Sequence, residues 1–88
     1  MNPIETAIVD IVSAITNTPA ADIDLDTDLR LDLNVDSLQG LQIMAAIERR
    51  FGLEVPDDEL DQYTSVGVIA ETVARLGGRP TGAPSRTV

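Results

Sequence analysis

The chain has 88 residues, room for one small domain and hardly two. Hydrophobic residues make up 43% of it but aromatics only 2%, so the core must be built from Leu, Ile, Val and Ala, a mix suited to packed helices. With no cysteine and no histidine, disulfides, thiol catalysis and Cys/His metal sites are excluded, and a net charge of −9 (15 acids against 6 arginines) repels nucleic acid and anionic membranes and favours partners with basic patches.

Residues 3–16 are predicted to form a helix. Asn2 can cap it, Pro3 suits the first helical position, and Ile4, Ile8, Ile11, Val12 and Ile15 recur at helical spacing. Pro19 in the stretch NTPA forbids continuation. The first twelve residues have no basic stretch and are interrupted by Glu5 and Asp10, which does not read as a signal peptide, and no segment reaches membrane-spanning length. The expectation is a soluble, cytoplasmic protein.

ADIDLDTDLRLDLNV comes next, with Ile23, Leu25, Leu29, Leu31 and Leu33 alternating with polar residues. Alternation is a strand pattern, but Asp is among the poorest strand formers and no second convincing strand exists for it to pair with. The segment is therefore read as a long loop whose leucines dip into a helical core. Six acids fall between Asp22 and Asp36. A calcium-binding loop started at Asp22 or Asp24 lacks both the glycine at its sixth position and the glutamate at its twelfth, so the bland reading is a solvated acidic loop.

Asp36 is the expected N-cap of a second helix running to about Arg50 or Phe51. A helical wheel puts Leu41, Ile43, Met44, Ile47 and Phe51 on its inner face, and Gln39, Gln42, Ala46, Arg49 and Arg50 on the other. Gly52 is the expected C-cap. A short third helix should follow Pro56, with acids in its first turn. Thr64 or Ser65 should cap a last helix with Val66, Ile69, Val73 and Leu76 buried, ended by Gly77 and Gly78. Residues 78–88 have little to bury and read as a disordered tail. The fold expected is all-α: a small four-helix bundle of three longer helices and one short one, occupying residues 1–77, with a long loop between the first two.

Ser37 is the residue whose chemistry is open. It can be a helix-start residue and nothing more. A catalytic serine is disfavoured: there is no histidine or lysine to act as base, no Gly-x-Ser-x-Gly elbow, and an exposed Asp36 carboxylate is too weak a base to activate it. It can also be a modified serine, since a phosphate ester at the first turn of a helix meets unpaired backbone N–H groups.

VDSLQGLQIMAAIERRFGLEVPDDEL resembles the core of an acyl carrier protein, through Asp36-Ser37-Leu38, the amphipathic helix ending in Glu48 to Phe51, and the LEVPDDEL that follows. The likeness of pattern extends from about residue 4 to 76. It implies a non-enzymatic carrier. Its serine, matched by Ser37, would bear 4′-phosphopantetheine through a phosphodiester, installed by a phosphopantetheinyl transferase from coenzyme A with Mg²⁺. The arm's thiol would hold acyl groups as thioesters for partners such as a ketosynthase, an acyltransferase or an acyl-activating ligase. Asp36 would help the transferase recognise the site, and Leu38 would pack at the start of the helix. No metal site is implied, and the chain is expected to be a monomer.

Two features depart from that family's pattern. Asn34 stands where a glycine is usual, two positions before the Asp, and Asn tolerates left-handed backbone better than other non-glycine residues. The second helix usually presents acids to basic enzyme surfaces, whereas here the outer face reads Gln39, Gln42, Ala46, Arg49 and Arg50, with Glu48 to one side. Complementary charge governs partner choice, so this suggests a dedicated carrier for a polyketide or other specialised acyl pathway, with Asp57, Asp58 and Glu59 as a second contact patch. Arginine in place of lysine and heavy use of Asp suit a GC-rich bacterial genome. Two alternatives stand beside this one. Peptidyl carriers of nonribosomal synthesis usually have another residue in place of Asp36. An unmodified acidic interaction module would use Ser37 only as a cap.

Overall fold

The computed structural model describes residues 1–55 and 65–77, and these are helical apart from loops and one isolated bridge. Helix α1 is Pro3–Thr16, α2 is Ser37–Phe51 and α3 is Val66–Arg75, with a single 3-10 turn at Ala20–Asp22. The all-helical expectation holds. The short helix expected after Pro56 and the tail from residue 78 lie outside the described residues.

Local chemistry explains each helix end. At the start of α1, the Asn2 side chain accepts from Glu5 N at 2.8 Å while Glu5 Oε1 accepts from Asn2 N at 2.9 Å, a reciprocal box that satisfies two otherwise orphaned donors. The helix stops at Thr16, three residues before Pro19, because Asn17 turns left-handed (φ 58°) and its N–H donates to Ser13 O. Gly52 ends α2 in the same way (φ 66°), and Ser65 caps α3 by accepting from Val68 N.

Helix α1 packs against both α2 and α3. The core joins Ile8 and Val12 of α1 to Ile43 and Ile47 of α2 and to Val66, Ile69 and Val73 of α3. The loop contributes Ile23, Leu29 and Val35 as buried residues, and Leu25 and Leu33 pack against them. It is also tied to α3 through its backbone: Gly67 N donates to Leu25 O at 2.9 Å, and Asp28 bridges Ser65.

Three expected core positions turn outward. Leu31 is 84% exposed. The Asp28 carboxylate accepts from both Arg30 N and Leu31 N, and Asp32 N donates to Asp28 O, so the chain coils here and the alternation breaks. Leu41 is 57% exposed: the covered face of α2 is centred on Ile43, Met44, Ile47 and Phe51, and Leu41 lies roughly 100° round the helix from that centre. Leu76 is 37% exposed, because α3 ends at Arg75 and its C-cap residue leaves the buried stripe.

Candidate functional site

The site begins in the turn before α2. Val35 N donates to Leu29 O at 2.8 Å and Asn34 N to Arg30 O at 3.1 Å, closing the loop on itself. Asn34 adopts φ 58°, the left-handed geometry its side chain tolerates. Buried Val35 then anchors the chain, and Asp36 enters the helix in extended conformation. Its carboxylate accepts from Gln39 N at 2.8 Å, and its carbonyl accepts from Gly40 N at the same distance.

Asp36 therefore does the capping, and Ser37 does not. Ser37 is exposed at the first helical position, and its hydroxyl has no hydrogen-bond partner among the described residues. The N–H groups of Ser37 and Leu38 also have no acceptor there. Two free amides and the positive end of the α2 dipole surround an unengaged hydroxyl, which suits a covalently held phosphate ester. Esterifying Ser37 breaks no contact that the fold uses.

Leu38 is 65% exposed, so the expectation that it packs at the start of the helix is corrected: it stands in solvent beside Ser37. Its position opposite the covered face accounts for this, since Ile43, Met44 and Ile47 draw the other side of α2 against α1. The predicted docking residues divide. Gln42, Arg49 and Arg50 are exposed, while Gln39 and Ala46 are half-buried. Arg49 and Arg50 make no ion pair among the described residues, and they point about 100° apart round the helix. Asp57, Asp58 and Glu59 lie outside the described residues.

Comparison with known proteins decides the family. The model of the family described as "Phosphopantetheine attachment site" matches residues 6–73. An acyl carrier protein of Acidothermus cellulolyticus is 31% identical over 69 residues, which cover 78% of this chain and 82% of that one. The chain belongs to the acyl carrier protein family. One of Streptomyces coelicolor is 44% identical over 57 residues (65% of this chain, 62% of that one), and acyl carrier protein 2 of Pseudomonas aeruginosa is 35% identical over 66 residues (75% and 84%).

An acyl carrier protein is a carrier and not an enzyme, and its prosthetic group is covalent 4′-phosphopantetheine. The exposed, unbonded hydroxyl and open amides at the head of α2 fit that group. The thiol that cysteine would otherwise supply comes from the arm, so the cysteine-free composition and the carrier role agree. No helix among the described residues is long and apolar enough to cross a membrane.

Two features of the carrier escaped sequence reasoning. One is the outward placement of Leu38 and Leu41, which depends on the sector of α2 that α1 covers. The other is Glu48. Its carboxylate reaches past the end of α2 to accept from Val55 N at 2.8 Å, holding the chain after Gly52 against the helix. No local pattern signals a contact that spans a chain reversal.

Proposed function

We propose that Ser37 is the attachment residue, bearing 4′-phosphopantetheine through a phosphodiester on Oγ. The supporting observation is the division of labour at the helix start: Asp36 caps, and the Ser37 hydroxyl stays exposed and unbonded. Against a cap-only role for Ser37 stands the Asp36 carboxylate, which already accepts from Gln39 N. When bound, the arm supplies a thiol that holds the acyl group as a thioester. The protein's own residues position its root, with Asn34 and Val35 fixing the turn and Asp36 and Leu38 offered beside it to a phosphopantetheinyl transferase.

The carrier domain is assigned to residues 1–77, as a monomer in the cytoplasm. Its cargo is an acyl rather than a peptidyl group, as Asp36 before the serine favours. Its partners are a ketosynthase and an acyltransferase or acyl-activating ligase of a polyketide or other specialised pathway. What supports a specialised pathway is the exposed side of α2, where Gln42, Arg49 and Arg50 leave no carboxylate for a basic enzyme surface. Intact-protein mass after incubation with coenzyme A, Mg²⁺ and a broad-specificity transferase tests the attachment. One phosphopantetheine should be gained by the wild type and none by Ser37→Ala. No gain with several transferases would return the chain to an unmodified interaction module.

A further inference from the structure

Asp28 sits at a joint in the long loop, between the start of α3 and the turn that leads to Ser37. On one side it bridges Ser65, the cap of α3, and just before it Leu25 O accepts from Gly67 N at 2.9 Å. On the other side it builds the next turn. Its Oδ1 accepts from Arg30 N at 2.9 Å and from Leu31 N at 2.8 Å. Its carbonyl accepts from Asp32 N at 2.9 Å, and its own N–H donates to Asp32 Oδ2 at 2.8 Å. Thr27 and Leu29, the neighbours on either side, are both buried and hold the joint in place.

The turn leads directly to the arm's root. Arg30, whose N–H is held by Asp28, accepts through its carbonyl from Asn34 N, and Leu29 O accepts from Val35 N. Buried Val35 is followed by Asp36, whose carboxylate starts α2 at Gln39 N. Hydrogen bonds and adjacent residues thus connect the first turn of α3, through Asp28, to the first turn of α2. The two helices each pack on α1 far more than on one another, so the loop is the direct tie between their starts. Segments that share one set of hydrogen bonds open and close together, and loss of one member raises the open population of all.

We propose that Asp28 is a positioning residue for the modification of Ser37: by holding the turn at residues 28–32 it makes the loop from Leu25 to Asp36 and the first turn of α3 open as one unit. It acts at a distance, since it makes no hydrogen bond with Ser37 or Asp36. A phosphopantetheinyl transferase that reads Asp36, Ser37 and Leu38 in one arrangement binds only the closed form, so its apparent affinity falls with the closed fraction. The effect on loading rests on Ser37 being the attachment residue, whereas the coupling between the two helix starts needs no arm.

The test uses the unloaded protein and compares Asp28→Ala, Asp28→Asn, Gly67→Ala and Asn2→Ala, each confirmed as folded at the assay temperature by circular dichroism. Amide hydrogen exchange is followed at Leu31, Val35, Gln39 and Gly67, and loading kinetics are measured with coenzyme A, Mg²⁺ and a transferase. In Asp28→Ala, exchange at Val35, Gln39 and Gly67 should rise roughly ten-fold, as loss of the two bonds to Oδ1 implies. KM for the carrier should rise about three-fold with kcat unchanged. Asp28→Asn keeps the oxygen acceptor without the charge and should restore most of both, which it would not do if the transferase recognised the Asp28 charge. Gly67→Ala should quicken exchange at Val35 from the far end of the loop. Asn2→Ala removes a cap at the start of α1 and should leave these amides and KM as in wild type. A purely local turn predicts acceleration at Leu31 alone, so unchanged exchange at Gly67 and Gln39 in Asp28→Ala would overturn the proposal. Equal responses to Asn2→Ala, or an unchanged KM in Asp28→Ala, would overturn it too. If the exchange pattern appears but the wild type is never loaded, the attachment reading falls and the coupling stands. If the wild type loads and the exchange pattern is absent, the coupling alone fails.

Discussion

Asp36 has two roles that substitution can separate. Its carboxylate accepts from Gln39 N at 2.8 Å, and it lies at the positive end of the α2 dipole. Asp36→Ala removes the cap, worth about 1 kcal/mol, and the charge–dipole attraction, worth about 0.3–1 kcal/mol at an exposed site. The sum is about 1–2 kcal/mol. In a domain of this size each kcal/mol moves the melting temperature by about 4–8 °C, so a fall of roughly 5–15 °C is expected in thermal unfolding followed by far-UV circular dichroism. Asp36→Asn keeps an oxygen acceptor and loses only the charge, so its fall should be a few degrees. A melting temperature for Asp36→Ala within about 1 °C of wild type would refute the assignment of Asp36 as the cap. The transferase reaction, run where all three proteins are folded, reports the second role. Equal loss of loading in the Ala and Asn variants assigns the carboxylate to recognition. Wild-type loading in the Asn variant alone means that Asp36 acts only by forming the helix start.

Gly67→Ala should destabilise by about 1 kcal/mol despite alanine's better helix propensity. Its Cβ would lie 3.1 Å from Leu25 O, the carbonyl held to Gly67 N, so it cannot retreat without lengthening that bond. Hydrogen exchange at Gly67 N should accelerate; unchanged exchange and a higher melting temperature would count against the loop being pinned there. Glu48→Ala leaves the N–H of buried Val55 without its acceptor and should cost about 1–3 kcal/mol in denaturant unfolding, with most of it restored in Glu48→Gln. Asn34→Ala should cost about 1 kcal/mol because of the left-handed backbone, whereas Asn34→Gly should stay within about 0.5 kcal/mol of wild type, both read as shifts of the urea midpoint.

Much of this molecule follows from residues within a few positions of one another. Asn2 with Glu5, Asp36 before Ser37, Gly52 and Ser65 set the helix limits because a cap or a left-handed turn is a local hydrogen-bonding problem. The core positions Ile8, Val12, Ile43, Ile47, Ile69 and Val73 were legible for the same reason, as helical periodicity fixes their relative angles. Periodicity does not say which sector a neighbouring helix will cover. Leu41 belongs to an apolar arc wider than α1 can cover, and only packing left it in water. In the loop, Asp28 took the backbone donors of Arg30 and Leu31, and that side-chain turn overrode the alternation that predicted Leu31 inside. The Ser37 motif and its helix were thus determined by sequence alone. The tertiary structure decided that Glu48 reaches Val55 and that Leu38 and Leu41 face solvent, because both depend on where the chain lies in space and not on which residues precede it.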